Sequence, residues 1–473
     1  MRRTKIVATV GPACDSEALL RAMISAGVNV FRLNFSHGSA EEHKARCQMI
    51  REISAEEDRY VAVLGDLQGP KIRLRTLAVD AIDVAPGDEL ILDTRLADGE
   101  GDERHIGVDY QPLARSVAAG DTLLIDDGRL QLSVVSVEGE AVHCRAESIG
   151  ILRSRKGINR LGGGLSAPAL TEKDLADIKH AAEMDLDFIA ISFPSSAADI
   201  NDARDKLQSA GCHAQIIGKI ERAEAVAEDE HLDALIRACD GVMVARGDLG
   251  VEIGDASLIG LQKHIIKRAR VLNRPVITAT QMMESMISNP IPTRAEVFDV
   301  ANAVLDGTDA VMLSAETAAG QYPLETVKAM SRNCMGAERY PSARKSSYRI
   351  ERSFESVEET LAMSAVFAAN HQVGVKAIVS LTETGRTVLL MSRLTSGIPI
   401  FAFSRNAATC RRVSLYRGVF AVSSAGPSPA VHDCIETLKA GGHVDAGDLI
   451  IMTMGDQVGV DNHTNTMKIV RVL

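Results

Sequence analysis

The stretch QIIGKIERAEAVAEDEHLDALIRACDGVMVARGD, residues 215–248, contains the repeating unit from which the fold can be predicted. It holds two short apolar runs, Gln215–Lys219 and Val242–Ala245, which are separated by a longer stretch of mixed polarity. Runs that are apolar throughout are typical of strands buried on both faces, as in parallel sheets. The stretch therefore predicts a strand–helix–strand unit with parallel strands.

The same unit recurs along much of the chain. Eight predicted strands alternate with helical stretches: Lys5–Val10, Val28–Asn34, Val61–Asp66, Phe188–Ser192, Gln215–Lys219, Val242–Ala245, Val276–Thr280 and Ala310–Ser314. One of the intervening stretches, Glu172–Glu183, follows Thr171, and Asp174 stands three residues after that threonine, as in a helix capping box. Eight such units predict a parallel (β/α)8 barrel, in which the active site lies at the carboxyl ends of the strands.

Polar and ionisable residues follow the predicted strands at this end of the barrel. They occupy Thr9–Pro12, Arg32–His37, Asp66, Ser192–Phe193, Lys219–Glu221, Arg246–Asp248, Thr280–Gln281 and Ser314–Glu316. Chance would scatter such residues over both ends of the strands. Their placement predicts one site, built from many strand ends.

Two further domains are predicted beside the barrel, which we assign to residues 1–68 and 168–340. Residues 69–167 alternate in polarity and carry turn signals such as Pro86-Gly87-Asp88, which predicts a small all-β domain inserted between the third and fourth strands. An insertion at this end of the barrel is suited to serve as a lid over the site. Residues 341–473 begin with a polar linker and a helix and continue as an open α/β domain. Its predicted strands are Ala377–Leu381, Ile400–Phe403, Val419–Val422, Leu449–Thr453 and Ile469–Val472.

Composition excludes several classes of protein. The net charge of −11 argues against a partner that is a nucleic acid or an anionic membrane. The eight cysteines are at least 24 positions apart (Cys410 to Cys434), so none has the spacing of a zinc or redox motif, and reduced thiols in a cytoplasmic protein are expected. No apolar run reaches the roughly 18 residues of a membrane span, and no signal peptide precedes the first strand.

Glu221 and Asp248 follow adjacent predicted strands, and this pair is the candidate metal site. Two carboxylates with substrate oxygens and waters suit Mg²⁺, with Mn²⁺ as an alternative. Lys219 lies beside them and could neutralise a phosphoryl group during transfer. A structural salt bridge at a strand end is the simpler interpretation of each residue alone. The common nucleotide-binding loops are missing: Gly218-Lys219 lacks the Walker spacing, and Gly162-Gly163-Gly164 lacks the Rossmann spacing.

Seven segments resemble the pyruvate kinase family, most nearly its bacterial type II form. They are LNFSHG (33–38), GDLQGPKIR (65–73), GKIERAEAV (218–226), MVARGDLGVEI (243–253), TATQMMESM (278–286), PTRAEV (292–297) and DGTDAVMLSAETAAGQYP (306–323). The resemblance implies transfer of the phosphoryl group of phosphoenolpyruvate to ADP, giving pyruvate and ATP in glycolysis through a metal-stabilised enolate.

The resemblance also implies roles for residues at matching positions. Glu221 and Asp248 would bind the divalent metal. Lys219 and Arg32 would contact the transferring phosphoryl group. The backbone of Ala245, Arg246, Gly247 and Asp248, together with the Thr280 hydroxyl, would hold the substrate carboxylate. Thr280 and Ser314 would lie near the path of the proton to the enolate carbon. Thr9, Pro12, Asn34, His37, Arg73 and Lys156 would form the nucleotide side, and Lys156 would arrive with the closing lid.

The monovalent-cation site of the family is matched, with one departure. Asn34, Ser36, Asp66 and the Leu67 carbonyl correspond to K⁺ ligands, but Lys71 stands where potassium-dependent members carry glutamate. An ammonium group can supply the charge that K⁺ brings. We therefore expect that K⁺ is not required. The alternative is that Lys71 points to solvent at the hinge between the barrel and the lid while K⁺ still binds.

Two further regions are expected to regulate activity. Thr382, Glu383, Thr384, Gly385, Arg386 and Thr387 resemble the effector phosphate loop of the family, and an ordinary capped helix start is the alternative. Because Glu383 replaces a lysine found in many fructose-bisphosphate-regulated members, we expect a monophosphate effector, either a sugar phosphate or AMP. The resemblance places Arg294 and Asp299 at an interface between barrels of a homotetramer, and a local helix-end ion pair is the alternative.

Two other functions are alternatives for a chain with this pattern. A metal-dependent aldolase or lyase of pyruvate shares the barrel and the carboxylate pair, but needs neither the nucleotide side nor the lid. A catalytically inactive metabolite sensor would be expected to have lost site residues, and none of the matched positions is lost.

Overall fold

The structure is a computed structural model that describes residues 1–165, 167–344, 353–424, 430–455 and 464–473. The chain begins with β1 (Lys5–Thr9), α1 (Glu17–Ala26), β2 (Val30–Asn34), α2 (Ala40–Glu56) and β3 (Ala62–Asp66). The inserted region contains β4 (Ala81–Val84), β5 (Glu89–Asp93), β6 (His105–Gly107), α3 (Leu113–Ser116), β7 (Thr122–Ile125), β8 (Leu130–Glu138), β9 (Ala141–Ala146), β10 (Gly150–Arg153) and β11 (Ile158–Arg160).

The chain then returns to alternating helices and strands. These are α4 (Glu172–Glu183), β12 (Phe188–Ile191), α5 (Ala197–Ser209), β13 (Gln215–Ile220), α6 (Asp229–Ala238), β14 (Gly241–Ala245), α7 (Arg246–Ile253), α8 (Asp255–Val271), β15 (Val276–Ala279), α9 (Arg294–Asp306), β16 (Ala310–Leu313), α10 (Ala315–Ala318) and α11 (Pro323–Ala337). The last region contains α12 (Val357–His371), β17 (Val375–Leu381), α13 (Arg386–Ser392), β18 (Ile400–Ser404), α14 (Ala407–Val413), β19 (Val419–Ser423), α15 (Val431–Ala440), β20 (Leu449–Gly455) and β21 (Thr464–Arg471).

The eight predicted barrel strands are confirmed, with ends that differ by one or two residues. They form a closed barrel in the order β1, β2, β3, β12, β13, β14, β15 and β16, and β16 pairs with β1 in parallel. The strands are buried on both faces, because one face fills the barrel and the other packs under the surrounding helices. The predicted capping box of α4 is present: Asp174 N donates to Thr171 Oγ1 at 3.2 Å and Thr171 N donates to Asp174 Oδ2 at 2.8 Å.

The inserted region forms a six-stranded sheet in the order β11, β7, β8, β9, β5 and β6, and a two-stranded sheet of β10 and β4. It has its own apolar core, and its one helix, α3, is a single turn, so the all-β prediction needs only that correction. Contacts with the barrel gather around Glu252 of α7. Asn159 Nδ2 donates to Glu252 Oε1 at 3.3 Å, and Gly162 N donates to the Glu252 carbonyl at 2.8 Å.

The carboxyl-terminal region is an open sheet in the order β19, β18, β17, β20 and β21. Four strands are parallel, and β21 pairs antiparallel with β20 and is longer than the predicted Ile469–Val472. Part of the predicted linker, residues 345–352, lies outside the described residues. Arg393, which follows α13, joins this domain to the barrel by a fork on Asp309 just before β16, with Arg393 Nη1 2.8 Å from Asp309 Oδ2.

Candidate active site

Lys219 lies near the carboxyl end of β13 and contacts three polar side chains of neighbouring strand ends. Its Nζ lies 2.9 Å from Glu221 Oε1, 3.4 Å from Asp66 Oδ1 and 2.8 Å from Ser192 Oγ. Burial opposes its positive charge, but the carboxylates of Asp66 and Glu221 outweigh burial and raise the pKa of Lys219. The side chain is therefore a fixed ammonium with 13% of its surface exposed, aimed at the mouth of the barrel.

Arg32 of β2 approaches the same cluster from the other side of Asp66. Its Nε lies 2.6 Å from Asp66 Oδ2, and its Nη1 donates to Thr9 Oγ1 at 3.1 Å. Asp66 is buried, which by itself disfavours its charge, yet Lys219 and Arg32 lower its pKa and keep it ionised. Asp66 thus holds two cations side by side, and their remaining donors are available to an anionic group.

Glu221 and Asp248, the predicted metal ligands, come together at the ends of β13 and β14. Glu221 Oε2 accepts a hydrogen bond from Phe193 N at 2.8 Å. Burial raises the pKa of Glu221, the Lys219 ammonium opposes that shift, and the nearby negative charge of Asp248 adds to it. Two carboxylates that are close enough to repel each other are suited to share a divalent cation.

Asp248 lies in the first turn of α7, which begins directly after β14. Its Oδ1 lies 3.2 Å from the Lys71 ammonium, so this carboxylate already attracts a cation in the structure. This contact and the hard oxygen donors fit a Mg²⁺ site. The predicted carboxylate seat, residues 245–248, lies at the start of α7, and backbone N–H groups at a helix start are suited to bind an anion.

Thr280 follows β15 in the left-handed region of backbone space, with φ of +64°. Gly247 N donates to its hydroxyl at 2.8 Å, and that hydroxyl donates to the Ala279 carbonyl at 2.7 Å. The buried Arg246 holds this strained turn, because its Nη2 donates to the Thr280 carbonyl at 2.7 Å. Arg246 is in turn fixed by a fork on Asp299 of α9, at 2.7 and 2.9 Å.

Ser314 directly follows β16, which pairs with β15, the strand that Thr280 follows. Its backbone N donates to Glu316 Oε2 at 2.6 Å. Glu316 is almost fully buried, and burial raises its pKa to about 7. The structure therefore places both predicted proton-path hydroxyls at neighbouring strand ends.

The predicted nucleotide residues lie on both sides of the cleft between the barrel and the inserted domain. On the barrel side, Pro12 and His37 are exposed. On the other side, Arg73 Nη1 donates to the Lys71 carbonyl at 3.3 Å, and Lys156 Nζ lies 2.8 Å from Asp126 of its own domain. The structure does not join these side chains into one cluster.

The predicted monovalent-cation residues are neighbours, but Lys71 contacts other groups. Asn34 Oδ1 accepts from Ser36 N at 3.2 Å, and the Leu67 carbonyl accepts from Ser192 Oγ at 2.6 Å. Lys71 lies on Asp248 and, at 3.8 Å, on Asp127 of the inserted domain. The cations in contact with Asp66 are instead Arg32 and Lys219.

The predicted effector loop is a compact turn that continues into α13, because Arg386 and Thr387 are the first two residues of that helix. Gly385 N donates to Thr382 Oγ1 at 2.9 Å, and Glu383 pairs with Arg405 at 3.1 Å. The last residue of the loop, Thr387, shares a 2.7 Å hydrogen bond with Thr464. Arg405 thus partly balances the negative charge of Glu383.

Arg294 is exposed at the start of α9. Four residues further along this helix, Phe298 has 73% of its surface exposed. The side chain of Asp299 does not face solvent as those of Arg294 and Phe298 do, because it forms an ion pair with Arg246.

Three contributions were missed at the sequence level. Ser192 was noted as a strand end but given no role, although its hydroxyl links Lys219 to the Leu67 carbonyl. The Arg246 side chain and Glu252 were also missed. A polar residue at each strand end was the signal for Ser192, whereas no local pattern marks the long-range partners of the other two.

Comparison with known proteins agrees with this geometry. The family models "Pyruvate kinase, barrel domain" and "Pyruvate kinase, alpha/beta domain" match residues 1–327 and 359–470. Metal-dependent phosphotransferases on a parallel barrel are the class that the fold and site define, and the chain belongs to the pyruvate kinase family.

Relatives match along the whole chain. Pyruvate kinase II of Salmonella typhimurium is 56% identical over 475 residues, covering 100% of this chain and 99% of the relative. The pyruvate kinase of Haemophilus influenzae is 56% identical over 464 residues, covering 97% and 96%. A solved pyruvate kinase from Cryptosporidium parvum superposes with a TM-score of 0.92 at 35% identity, covering 100% of this chain and 96% of that one.

The protein is therefore a phosphotransferase that acts on phosphoenolpyruvate and ADP, gives pyruvate and ATP, and depends on a divalent metal. The resemblance found in the sequence is confirmed, and the aldolase and inactive-sensor alternatives are not supported. Within the described residues, no helix is both long and apolar enough to cross a membrane.

Proposed function

We propose that the phosphoryl group is transferred between Lys219 and Arg32, above Asp66. The observation that carries this proposal is the sharing of one buried carboxylate by two fixed cations, at 3.4 and 2.6 Å. Asp66 and Glu221 fix the two cations in place. A divalent metal bound by Glu221 and Asp248 would offset the charge of those carboxylates, so that the two cations could act on the phosphoryl group. Cations that are already in position stabilise the negative charge on the oxygens of the phosphoryl group while it is transferred.

Glu221 and Asp248 would hold the divalent metal, which we propose to be Mg²⁺, with Mn²⁺ as an alternative. When bound, the metal supplies a Lewis acid that offsets negative charge on the substrate oxygens. The protein contributes the positions of the carboxylates: Phe193 N fixes Glu221, and the first turn of α7 fixes Asp248. The same turn, with the Gly247–Thr280 hydrogen bond, orients a seat for the substrate carboxylate.

Thr280 and Ser314 would deliver the proton that converts the enolate of the product to pyruvate. Thr280 is oriented by its hydrogen bonds to Gly247 N and the Ala279 carbonyl, so its hydroxyl direction is set before the substrate arrives. Protonation at carbon makes transfer to ADP favourable, because the resulting ketone is more stable than the enol form.

The nucleotide would bind between the barrel and the inserted domain, against Thr9, Pro12, Asn34, His37 and Arg73. We propose that residues 69–167 close as a lid on a barrel made of residues 1–68 and 168–340. Lys156 pairs with Asp126 within this domain, so it would move with the lid as a unit. The contacts of Glu252 with Asn159 and Gly162 are suited to serve as the hinge.

We further propose that Lys71 makes K⁺ unnecessary, that residues 382–387 bind a monophosphate effector, and that residues 341–473 form the effector domain. A homotetramer is expected, with α9 at a contact between barrels. The eight cysteines are buried free thiols, which supports a cytoplasmic location.

The test of the transfer site is turnover of Lys219→Met in a coupled assay with phosphoenolpyruvate, ADP and Mg²⁺. Loss of this ammonium should cost about 3 kcal/mol or more of transition-state stabilisation, a fall of at least about 100-fold in kcat, with a smaller change in KM. Lys179→Met, on the exposed face of α4, is the matched control and should keep wild-type turnover. A Lys219→Met enzyme within tenfold of wild type would remove this residue from the mechanism.

A further inference from the structure

A cavity of about 30 Å³ lies between the barrel and the carboxyl-terminal domain, far from the strand ends that form the active site. Residues of α8, α9 and the segment after α11 form its barrel side, and the segment after α13 forms its other side. Three arginines, Arg3, Arg270 and Arg417, and four hydroxyl-bearing residues line it, and no acidic residue is among its described lining residues. The volume exceeds the roughly 10–15 Å³ that one water needs.

The carboxylates nearest to this cavity are already engaged. Glu338 accepts from Thr4 Oγ1 at 2.7 Å and from the backbone N of Arg3 at 2.9 Å, and lies 3.7 Å from Arg3 Nε. Asp309 is held by the Arg393 fork and by Arg417 N at 2.9 Å. Neither acid is among the described lining residues, so the charged side chains that line the cavity there are all arginines.

Among the residues that the structure describes, the hydrogen bonds from the guanidinium group of Arg417 reach backbone carbonyls. Its Nη1 donates to the Val304 carbonyl at 3.0 Å and to the Thr308 carbonyl at 2.8 Å. Burial lowers the pKa of Arg417, and that of Arg3 is lowered by burial and by the charge of Arg417. The charges of Glu338 and Asp309 offset part of the cost of placing the half-buried Arg417 here, and an anion in the cavity would offset more of it.

We propose that this cavity binds a small tetrahedral oxyanion of the size of inorganic phosphate, held by Arg3, Arg270 and Arg417. Guanidinium groups bind phosphate oxygens with paired hydrogen bonds, and serine and threonine hydroxyls add further donors. The site lies at the end of α13 opposite the predicted effector loop, so it is distinct from that loop. Its occupant would join the two domains and stabilise the contact between them.

A crystal of the full-length enzyme soaked in selenate tests the position directly. We expect an anomalous difference peak within hydrogen-bond distance of Arg3, Arg270 and Arg417 at millimolar selenate. A cavity without a peak, or one filled only at molar selenate, would overturn the proposal. Glycerol 3-phosphate distinguishes the source of the anion, because the cavity should exclude it, and binding of this ester would refute the size argument.

Thermal unfolding in solution gives an independent test through Ser342, an exposed residue of the cavity wall. At equal ionic strength, replacing chloride by phosphate at 100 times its Kd should raise the wild-type Tm by about 3 °C. Ser342→Asp supplies a built-in anion, so it should be more stable than wild type without phosphate and gain less from it. Ser342→Asn is the matched neutral control and should respond like wild type.

The active site and the effector loop are unchanged in all three proteins, so phosphate binding there cancels from the comparison. An equal phosphate-induced rise in Tm for wild type, Ser342→Asp and Ser342→Asn would show that the anion does not occupy this cavity.

Discussion

Reversing the charge of Lys71 is expected to convert the enzyme to K⁺ dependence. The Lys71 ammonium lies 3.2 Å from Asp248 Oδ1 and 3.8 Å from Asp127 Oδ1. Burial opposes this charge, but Asp248 and then Asp127 outweigh it and raise the pKa of Lys71, so the group stays charged. Lys71→Glu would place a third negative charge beside these two.

The size of the electrostatic change follows from the distance between Lys71 Nζ and Asp248 Oδ1. At the 3.2 Å of the Lys71–Asp248 pair, two unit charges in an effective dielectric constant of about 20 interact by about 5 kcal/mol. Attraction in the wild type becomes repulsion of similar size in Lys71→Glu. A bound K⁺ would restore the lost positive charge, and recovery of about 2.7 kcal/mol of this energy would already change turnover about 100-fold.

The assay measures turnover with phosphoenolpyruvate, ADP and saturating Mg²⁺ in tetramethylammonium or potassium chloride at equal ionic strength. Wild type should retain substantial activity without K⁺. Lys71→Glu should be slow without K⁺ and rise about 100-fold with it, whereas the neutral Lys71→Gln should respond only slightly. Mg²⁺ titrations of all three proteins show whether a substitution acts on the divalent-metal site and not on the response to K⁺.

Two results would refute this reasoning. If wild-type activity rises a hundredfold on adding K⁺, the lysine does not replace the ion. If Lys71→Glu and Lys71→Gln respond equally to K⁺, the charge at this position does not control the monovalent site.

The remaining predictions concern regulation, assembly and pH. A sugar monophosphate or AMP should activate the wild type, and fructose 1,6-bisphosphate should not. Glu383→Lys should allow the bisphosphate to bind and activate. Strong activation of the wild type by the bisphosphate would contradict the predicted preference for a monophosphate. Arg294→Ala should impair activation more than basal turnover. Because Asp299 pairs with Arg246, a local Arg294–Asp299 ion pair does not explain Arg294, and an unchanged effector response with unchanged mass on a sizing column would show that Arg294 has no part in a subunit contact. Because burial raises the pKa of Glu316 to about 7, its contribution to stability is present at low pH and is lost as pH rises towards and through 7. Glu316→Gln should therefore match wild type near pH 5 and unfold at a higher temperature at pH 8, and equal Tm values at pH 8 would argue against the raised pKa.

The barrel could be predicted from the sequence because its strands are buried on both faces and so read as continuous apolar runs. Closure of those strands brings their ends together, which is why Lys219, Glu221 and Asp66 could be grouped although 155 positions separate Asp66 from Glu221. The family resemblance then gave roles to residues that the pattern only placed. The contacts of Lys71 with Asp248 and Asp127 could not be predicted, since they depend on how the inserted domain packs.

Residues that act through partners distant in sequence also escaped prediction. The Arg246–Asp299 fork spans 53 positions and the Arg393–Asp309 fork spans 84, and neither produces a local pattern. Strand β21 differs for another reason. Its residues are mostly exposed or half-buried at the edge of the sheet, so only its last part is apolar enough to predict a strand.

Closure of the barrel between β1 and β16 has a consequence for how the protein is made. Lys5 pairs with Ala310, so the first strand to leave the ribosome waits for a partner translated about 300 residues later. At about 5–20 residues per second this interval lasts roughly 15–60 s, during which the outer edge of β1 stays unpaired and prone to aggregation, whereas β3 gains its partner β12 after about 120 residues. The inserted domain has its own core and can fold during this wait. The growing chain therefore needs protection by chaperones chiefly over its first strands, and synonymous changes that slow translation between residues 66 and 310 should lower the yield of native enzyme.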